Sequence, residues 1–147
     1  MDTMPTRPRR RRALALVAVP VLALALVGCL NPDAQRAYDL LNADRAGRGM
    51  ATLALDETLN AKAQAWAETL AARGQLAHSS LSDGAPVGWS RLGENVGVGA
   101  SADSVHGALL RSAGHRARML DAGYTHVGVG AARSADGRVW IAQVFMR

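Results

Sequence analysis

The chain has 147 residues, of which 49% are hydrophobic, and a formal net charge of +5. This length suits one domain, and a single cysteine excludes an intrachain disulfide. Residues 1–28 contain five arginines and one aspartate, so the rest of the chain carries 12 basic and 11 acidic side chains. A nearly neutral chain without a basic patch interleaved with aromatic residues is not expected to bind nucleic acid.

The N-terminal residues predict an export signal. Arg7 and residues 9–12 form a basic segment, and residues 13–27 are apolar and uncharged. That stretch is short for a membrane span but has the length of a signal-peptide core. It ends in Leu26-Val27-Gly28-Cys29, which has the form of a lipobox. We therefore predict a lipoprotein signal peptide over residues 1–28 and one domain over residues 29–147.

Cys29 is the predicted lipidation site. Cleavage before it would leave a thiol that carries diacylglycerol and a new N-terminus that takes a further acyl chain such as palmitate. The alternative is an ordinary secretory signal followed by an incidental cysteine. Because the one cysteine stands where the signal core ends, we favour a lipid anchor. The membrane is then a predicted partner, with the domain on its extracytoplasmic face.

The first predicted helix begins at Asn31-Pro32-Asp33. The Asn side chain can accept a hydrogen bond from a free backbone N–H, Pro suits the first helical position, and Asp favours the positive helix end. Gly47 or Gly49 ends this helix.

A second helix is predicted to begin after Asp56 and to stop at Gly74. Its apolar residues recur at helical spacing, and a polar loop follows up to Arg91. Loops of this length in small domains are often functional. The spaced apolar residues are Leu59, Ala63, Trp66 and Leu70.

Shorter elements follow. Residues 94–98 could form a short strand or an extended segment, and Ser101 could cap a third helix that ends at Arg111. Residues 112–114 are expected to break that helix before a further helical turn or two over residues 115–120.

The end of the chain predicts a hairpin. Residues 125–132 and 139–146 have strand character, and Asp136-Gly137 between them is a hairpin signal. Helices first and a hairpin last predict an α+β fold with an antiparallel sheet. Trp66, Trp140 and Phe145 are expected in its core.

Two histidines and a carboxylate carry the candidate chemistry. His78 follows the second helix, Glu94 lies in Gly93-Glu94-Asn95, and His115 lies in Gly114-His115-Arg116. Such side chains can ligate Zn²⁺ or another divalent cation and can also perform general acid–base catalysis. Each has an ordinary alternative, as a surface or capping histidine or a solvated turn carboxylate.

In this order, these motifs resemble the CAP superfamily, or SCP domain, in its compact bacterial branch. Residues 40–45 and 140–145 belong to the same resemblance, which extends over about residues 37–145. It implies an α-β-α sandwich with a small antiparallel sheet between helices. It also implies a cavity containing His78, Glu94 and His115, with Asn95 and Gln143 at its edge.

The chain departs from the family pattern at two places. The residue that is usually Asn after the His115 motif is Arg118, which should point outward or find an acid such as Asp121. The second cavity glutamate of many family members is missing from the helix that carries His106. We expect His106 on an exposed helix face and a structural role for both His106 and His126.

These observations leave three functional hypotheses. The first is a binding module whose cleft takes a lipid-like, peptide or envelope ligand together with a divalent cation. The second is a metal-assisted hydrolase of peptide or ester bonds, with Glu94 as the base and His78 and His115 holding the cation. The third is a structural envelope protein. The missing second acid and the lack of a nucleophile elbow favour binding. We expect Glu94 to matter for the cavity, with little demand on it from packing.

Overall fold

The computed structural model of this protein describes residues 30–147. The predicted signal peptide and Cys29 lie outside these residues. In the described part, no helix has both the length and the apolar character needed to cross a membrane. The elements in chain order are α1 (Pro32–Ala46), β1 (Ala54–Leu55), α2 (Glu57–Arg73), β2 (Leu92–Gly99), α3 (Ala102–Arg111), α4 (Ala113–Met119), β3 (His126–Arg133) and β4 (Val139–Met146).

The predicted starts of the first two helices are confirmed. The Asn31 side chain accepts a hydrogen bond from the backbone N–H of Ala34 at 2.9 Å. The Asp56 carboxylate accepts one from the N–H of Leu59, also at 2.9 Å. Helix α2 ends at Gly74, which has the left-handed φ of 64° that glycine adopts without steric cost.

The break between α3 and α4 lies at the first of the three residues predicted for it. Ser101 and Ser104 form the capping box that starts α3. Ser112 is extended (φ −82°, ψ 120°) and separates the two helices, whereas Ala113 and Gly114 already belong to α4. The prediction that the last helical turn begins at His115 was therefore two residues late.

The sheet is mostly antiparallel, as predicted, but its first strand is parallel. The strand order is β1-β3-β4-β2, and β4 pairs antiparallel with both β3 and β2. Ala54 and Leu55, just before α2, pair in parallel with His126 and Val127. Two residues are too few to show a strand pattern in the sequence.

Helices cover both faces of the sheet and make an α-β-α sandwich, as the resemblance implied. Helices α1 and α3 pack on one face and α2 on the other. Trp140 and Phe145 are buried as predicted, whereas Trp66 is only partly buried. The buried residues of α2 and of the sheet face that it covers include Leu59, Ala63, Ala67, Leu70, Val96, Trp140, Ala142 and Val144.

Helix α2 lies unusually close to β3. A Cβ on Gly128 would lie far inside van der Waals distance of the Leu59 carbonyl group, and a Cβ on Gly130 would meet the Ala63 backbone in the same way. The backbone itself therefore forms the contact surface, and any side chain at these two strand positions would push the helix away.

Side chains protect the edge of β3 beyond the short β1. Asn60 Oδ1 accepts a hydrogen bond from Val129 N–H at 3.0 Å, and Gln64 Oε1 accepts one from Ala131 N–H at 3.1 Å. Asn31 Nδ2 donates to the Ala131 carbonyl at 2.7 Å. These amides satisfy backbone groups that a neighbouring strand would otherwise pair, and so they cap the edge against unwanted strand addition.

His106 is not on an exposed face, contrary to expectation. It is 7% exposed, and its Nε2 lies 2.6 Å from Asp44 Oδ2, which ties α3 to α1. Burial acts to raise the pKa of Asp44, but hydrogen bonds from Arg48 and His106 outweigh it and hold that pKa below its ordinary value. His126 begins β3, with its Nδ1 2.9 Å from the Thr125 hydroxyl.

We predict that Gly130→Ala destabilises the protein by about 1–3 kcal/mol or more, because the added methyl group overpacks a contact made by backbone. Urea denaturation measures the change. Gly114→Ala is the matched control: a Cβ there meets nothing within 4 Å, and the residue is helical. The free energy of unfolding of the control should be unchanged or higher by up to about 1 kcal/mol. Equal behaviour of the two variants would contradict the close-packing account.

Candidate functional site

The candidate site lies at the free edge of the sheet, on strand β2. Alternate residues of a strand point to opposite faces. Glu94 lies on the α2 side, where it meets His78 and Ser79 of the loop that follows α2. Asn95, its neighbour in sequence, contacts the backbone of His115 in α4. The cleft therefore straddles the sheet edge, with one histidine on each side.

Glu94 is a buried hydrogen-bond acceptor, not a solvated turn carboxylate. Its side chain is only 1% exposed. Oε1 lies 2.7 Å from His78 Nδ1 and accepts from the Ser79 backbone N–H at 2.9 Å. Oε2 accepts from the Ser79 hydroxyl at 2.5 Å. The expectation that packing makes little demand on Glu94 was therefore wrong, because its burial requires these partners.

Asn95 and Gln143 are buried behind the cleft and connect the sheet to α4. They are register partners on β2 and β4, and Asn95 Nδ2 lies 3.4 Å from Gln143 Oε1. The same Nδ2 donates to the His115 carbonyl at 3.2 Å. This arrangement fixes the backbone of α4 at the residue that carries the second imidazole.

The His115 ring is held by a residue one helical turn before it. Its Nδ1 lies 2.8 Å from the Ser112 hydroxyl. Burial lowers the pKa of His115, and the Arg118 charge and the nearby His78 ring act in the same direction. The imidazole is therefore neutral at neutral pH, and a neutral ring has a lone pair to offer a cation.

Both candidate histidines thus use Nδ1 within the protein, which leaves Nε2 of each ring as the atom that could bind a cation. A histidine that binds a metal usually engages its other nitrogen with a carboxylate, carbonyl or similar partner. Glu94 and Ser112 occupy those positions for His78 and His115. Within residues 30–147, no group of three or more His, Cys, Asp or Glu side chains is placed to hold one metal ion. The donor set is therefore two imidazoles, with Glu94 as a partner of the first.

A cavity of about 240 Å³ opens beside Glu94. The sequence suggested that Arg118 would point outward or pair with Asp121, and it does neither. Asp121 instead forms an ion pair with Arg91, with 2.6 Å between Oδ2 and Nη2. Arg118 instead lines the cavity, which is bounded by His78, Ser79, Leu81, Leu92, Gly93, Glu94 and Arg118.

Ser79 and Ser112 hold the site through hydrogen bonds to Glu94 and His115, a role that the sequence did not predict. Their closeness to the histidines along the chain suggested only nucleophiles of a serine hydrolase, which the lack of a nucleophile elbow disfavours. Ser79 follows His78 directly, and Ser112 precedes His115 by three residues, which places it on the same side of a helical turn. That spacing is the signal that could have indicated the hydrogen bonds.

We predict that Glu94→Gln destabilises the protein by about 1–3 kcal/mol, because the amide would direct a donor at Ser79 or His78, which already donate. This loss exceeds the effect expected for a surface carboxylate. Urea denaturation measures it, and Glu68→Gln is the control, since Glu68 is exposed and accepts one bond from Gln64. The control should change by no more than about 0.5 kcal/mol. Equal losses in both variants would show that Glu94 is not a structural acceptor.

Comparison with known proteins supports one family. A family model described as CAP, the cysteine-rich secretory protein family, matches residues 38–145. The protein YkwD of Bacillus subtilis (strain 168), itself described as uncharacterized, is 30% identical over 118 residues, which cover 74% of this chain. The chain spans only 45% of the length of that relative.

Solved structures show the same fold. An outer surface protein from Borrelia burgdorferi superposes with a TM-score of 0.71 at 17% identity, covering 78% of this chain and 92% of that one. An extracellular protein containing a SCP domain from Bacillus anthracis str. Ames gives a TM-score of 0.66 at 26% identity, covering 82% of this chain and 45% of that one. On these grounds the chain belongs to the CAP (cysteine-rich secretory protein) family.

Proposed function

We propose that this protein is an extracytoplasmic binding module whose cleft, between the loop after α2 and helix α4, takes its ligand together with a divalent cation such as Zn²⁺. One observation carries the proposal: the His78 and His115 rings are each held through Nδ1, which leaves both Nε2 atoms for the cation. The lowered pKa of His115 supports it, because burial keeps that ring unprotonated. Water or ligand atoms complete the coordination.

Glu94 acts in this proposal as the positioning residue for His78. A carboxylate that accepts the Nδ1 proton fixes the tautomer and the direction of the ring, and it makes Nε2 a better donor to a cation. Its hydrogen bonds to Ser79 hold the carboxylate in place on the loop side. The three hydrogen bonds from His78 and Ser79 use most of the roughly four acceptor positions of the carboxylate, so Glu94 has little capacity left for a cation.

The geometry favours binding over hydrolysis. A general base must come within hydrogen-bond reach of the proton that it removes. The Glu94 side chain is 1% exposed, and its two oxygens face His78 and Ser79, so it is poorly placed to activate a water in the cavity. The ligand classes that suit this cleft remain those named from the sequence: a lipid-like, peptide or envelope molecule.

Two observations support a location outside the cytoplasm. The N-terminal residues have the pattern of a lipoprotein signal that ends at Cys29. The similar Bacillus anthracis protein is described as extracellular. We propose that lipidated Cys29 holds the domain on the outer face of a membrane.

We predict that Zn²⁺ raises the melting temperature of the protein, because a ligand that binds only the folded state stabilises it by mass action. At a free concentration of about 100 times Kd, the gain is about 2.7 kcal/mol. The gain should shrink as the pH falls below about 6, because protonated imidazole does not bind cations. Thermal melts with Zn²⁺ and after EDTA treatment measure it.

Two variants decide whether the predicted Zn²⁺ effect belongs to this cleft. The double variant His78→Asn/His115→Asn should lose the shift, whereas His126→Asn, which removes a histidine at the start of β3, should keep it. A shift that survives in the double variant would place the bound cation elsewhere, and no shift in the unmodified protein would exclude the cation from the proposed function.

We predict that the membrane-extracted protein begins at Cys29 and carries diacylglycerol on that residue. A single acyl chain binds membranes only marginally, so stable anchoring needs at least two chains. Mass spectrometry of the N-terminal peptide tests this. Cys29→Ser should remain uncleaved or leave the membrane fraction, whereas Ser80→Ala, at an exposed loop residue, should behave like the unmodified protein. An unmodified Cys29 in the processed protein would exclude the anchor.

A further inference from the structure

We infer that Arg118 makes one wall of the cleft a binding subsite for an oxyanion, the carboxylate or phosphate group of the ligand. The inference deepens the proposed function and rests on the same cleft. It depends on three features of the described residues: what Arg118 contacts, which groups the nearby acids already bond, and which charged groups of the cavity wall are accessible.

Arg118 is half-buried in the cavity wall and has almost no hydrogen bonds of its own. Its contact is a weak one from Nη1 to the Gly114 carbonyl, at 3.5 Å. Among residues 30–147, no carboxylate lies within ion-pair distance of it. A guanidinium has five N–H donors, so most of those of Arg118 face the cavity or its solvent.

The acids nearest to Arg118 already have partners. Asp121 accepts from Arg91 at 2.6 Å and from the Gly123 backbone N–H at 2.7 Å. These contacts hold the pKa of Asp121 below its ordinary value, with the Gly123 hydrogen bond as the largest cause and burial acting against it. Glu94 is buried and bonded to His78 and Ser79. Neither carboxylate is available to neutralise Arg118.

The chain is rich in arginine, but several other surface arginines have carboxylate partners. Arg36 pairs with Asp103, Arg133 with Asp33 and Arg138 with Asp136, each within 2.8 Å. In the described chain these arginines serve the fold, whereas Arg118 lines a cavity beside two imidazoles. Among the described residues, Arg111 and Arg116 also have no carboxylate partner, but neither lines this cavity. Its position in the cavity wall, together with its missing partner, identifies Arg118 as the cationic group left for a ligand.

Arg118 supplies the accessible charge of the cavity wall. Glu94 also lines the cavity, but its side chain is 1% exposed and its oxygens accept from His78 and Ser79. An oxyanion in the cavity beside Arg118 could accept two parallel hydrogen bonds from the guanidinium, which is the geometry that arginine provides for carboxylate and phosphate. The cavity of about 240 Å³ holds a head group of that size, so the rest of the ligand would extend outside it.

The test uses the protein after EDTA treatment, titrated with sodium acetate and separately with sodium phosphate at constant ionic strength set by sodium chloride. NMR follows the Arg118 side-chain N–H and the His115 ring protons. We expect saturable shifts at both groups. Saturable binding of either anion supports the proposal, and the tighter one names the chemistry of the ligand group. The absence of saturable shifts with both anions would overturn it.

Matched variants separate a built subsite from general attraction to a basic surface. Arg118→Gln should weaken anion affinity at least about tenfold, or about 1.4 kcal/mol, and Arg118→Lys should weaken it less. Arg116→Gln is the control, since Arg116 is exposed on the same helix and donates to the Leu110 carbonyl; its affinity should not change. Equal losses in Arg116→Gln and Arg118→Gln would overturn the proposal, provided that melting curves show both variants folded.

Failure of this inference is distinguishable from failure of the proposed function. Anion binding without any Zn²⁺ effect on melting would retain the subsite and remove the cation. A Zn²⁺ effect that requires His78 and His115, in a protein that does not bind acetate or phosphate, would retain the cation and overturn the subsite.

Discussion

The close contact of α2 with β3 determines where the cleft can form. Gly128 and Gly130 let two turns of α2 rest directly on the strand backbone, and the helix buries one face of the sheet there. Helix α2 ends at Gly74, so the loop that follows begins close to the surface of the sheet and reaches β2 within a few residues. That short path brings His78 and Ser79 to Glu94. A helix held farther from the sheet would carry this loop out of hydrogen-bond range.

Burial of the Glu94 charge then holds the loop in place. A carboxylate removed from water is tolerated only with hydrogen bonds that replace its hydration. Ser79 and His78 supply these hydrogen bonds. The buried carboxylate therefore depends on the loop, and the carboxylate in turn holds the loop in place. The alternation of β2 assigns the next residue, Asn95, to the opposite face, where it fixes α4 at His115. Two adjacent residues of one strand thus position both halves of the cleft, which is why a short Gly-Glu-Asn run has so large an effect on the site.

The sequence predicted features that depend on neighbours along the chain. The caps at Asn31 and Asp56 and the hairpin at Asp136-Gly137 were correct because each is decided within a few residues. The pairing of His106 with Asp44 joins positions 62 residues apart, and nothing local in the sequence marks it. The burial of Glu94 was not predicted for the same reason, because it depends on where α2 ends in space and the following loop begins. The expectation that the two histidines and Glu94 share one cavity came from the family resemblance, not from their spacing. The structure brings His78 to Glu94, and the residues that line the cavity beside Glu94 include His78 but not His115.

The edge of the sheet that faces the proposed anchor is not the edge that holds the cleft. Asn31 bonds the Ala131 carbonyl on β3, whereas Glu94 lies on β2, across β4 and at the other edge of the three long strands. Through the register, Ala131 is level with Ile141, and Glu94 is level with Val144, three residues farther along β4. That offset is about 10 Å along the strands, with about 10 Å more across two strand spacings. An anchor at Cys29, two residues before Asn31, would therefore be attached to the chain next to the capped β3 edge, at the opposite side of the three long strands from Glu94.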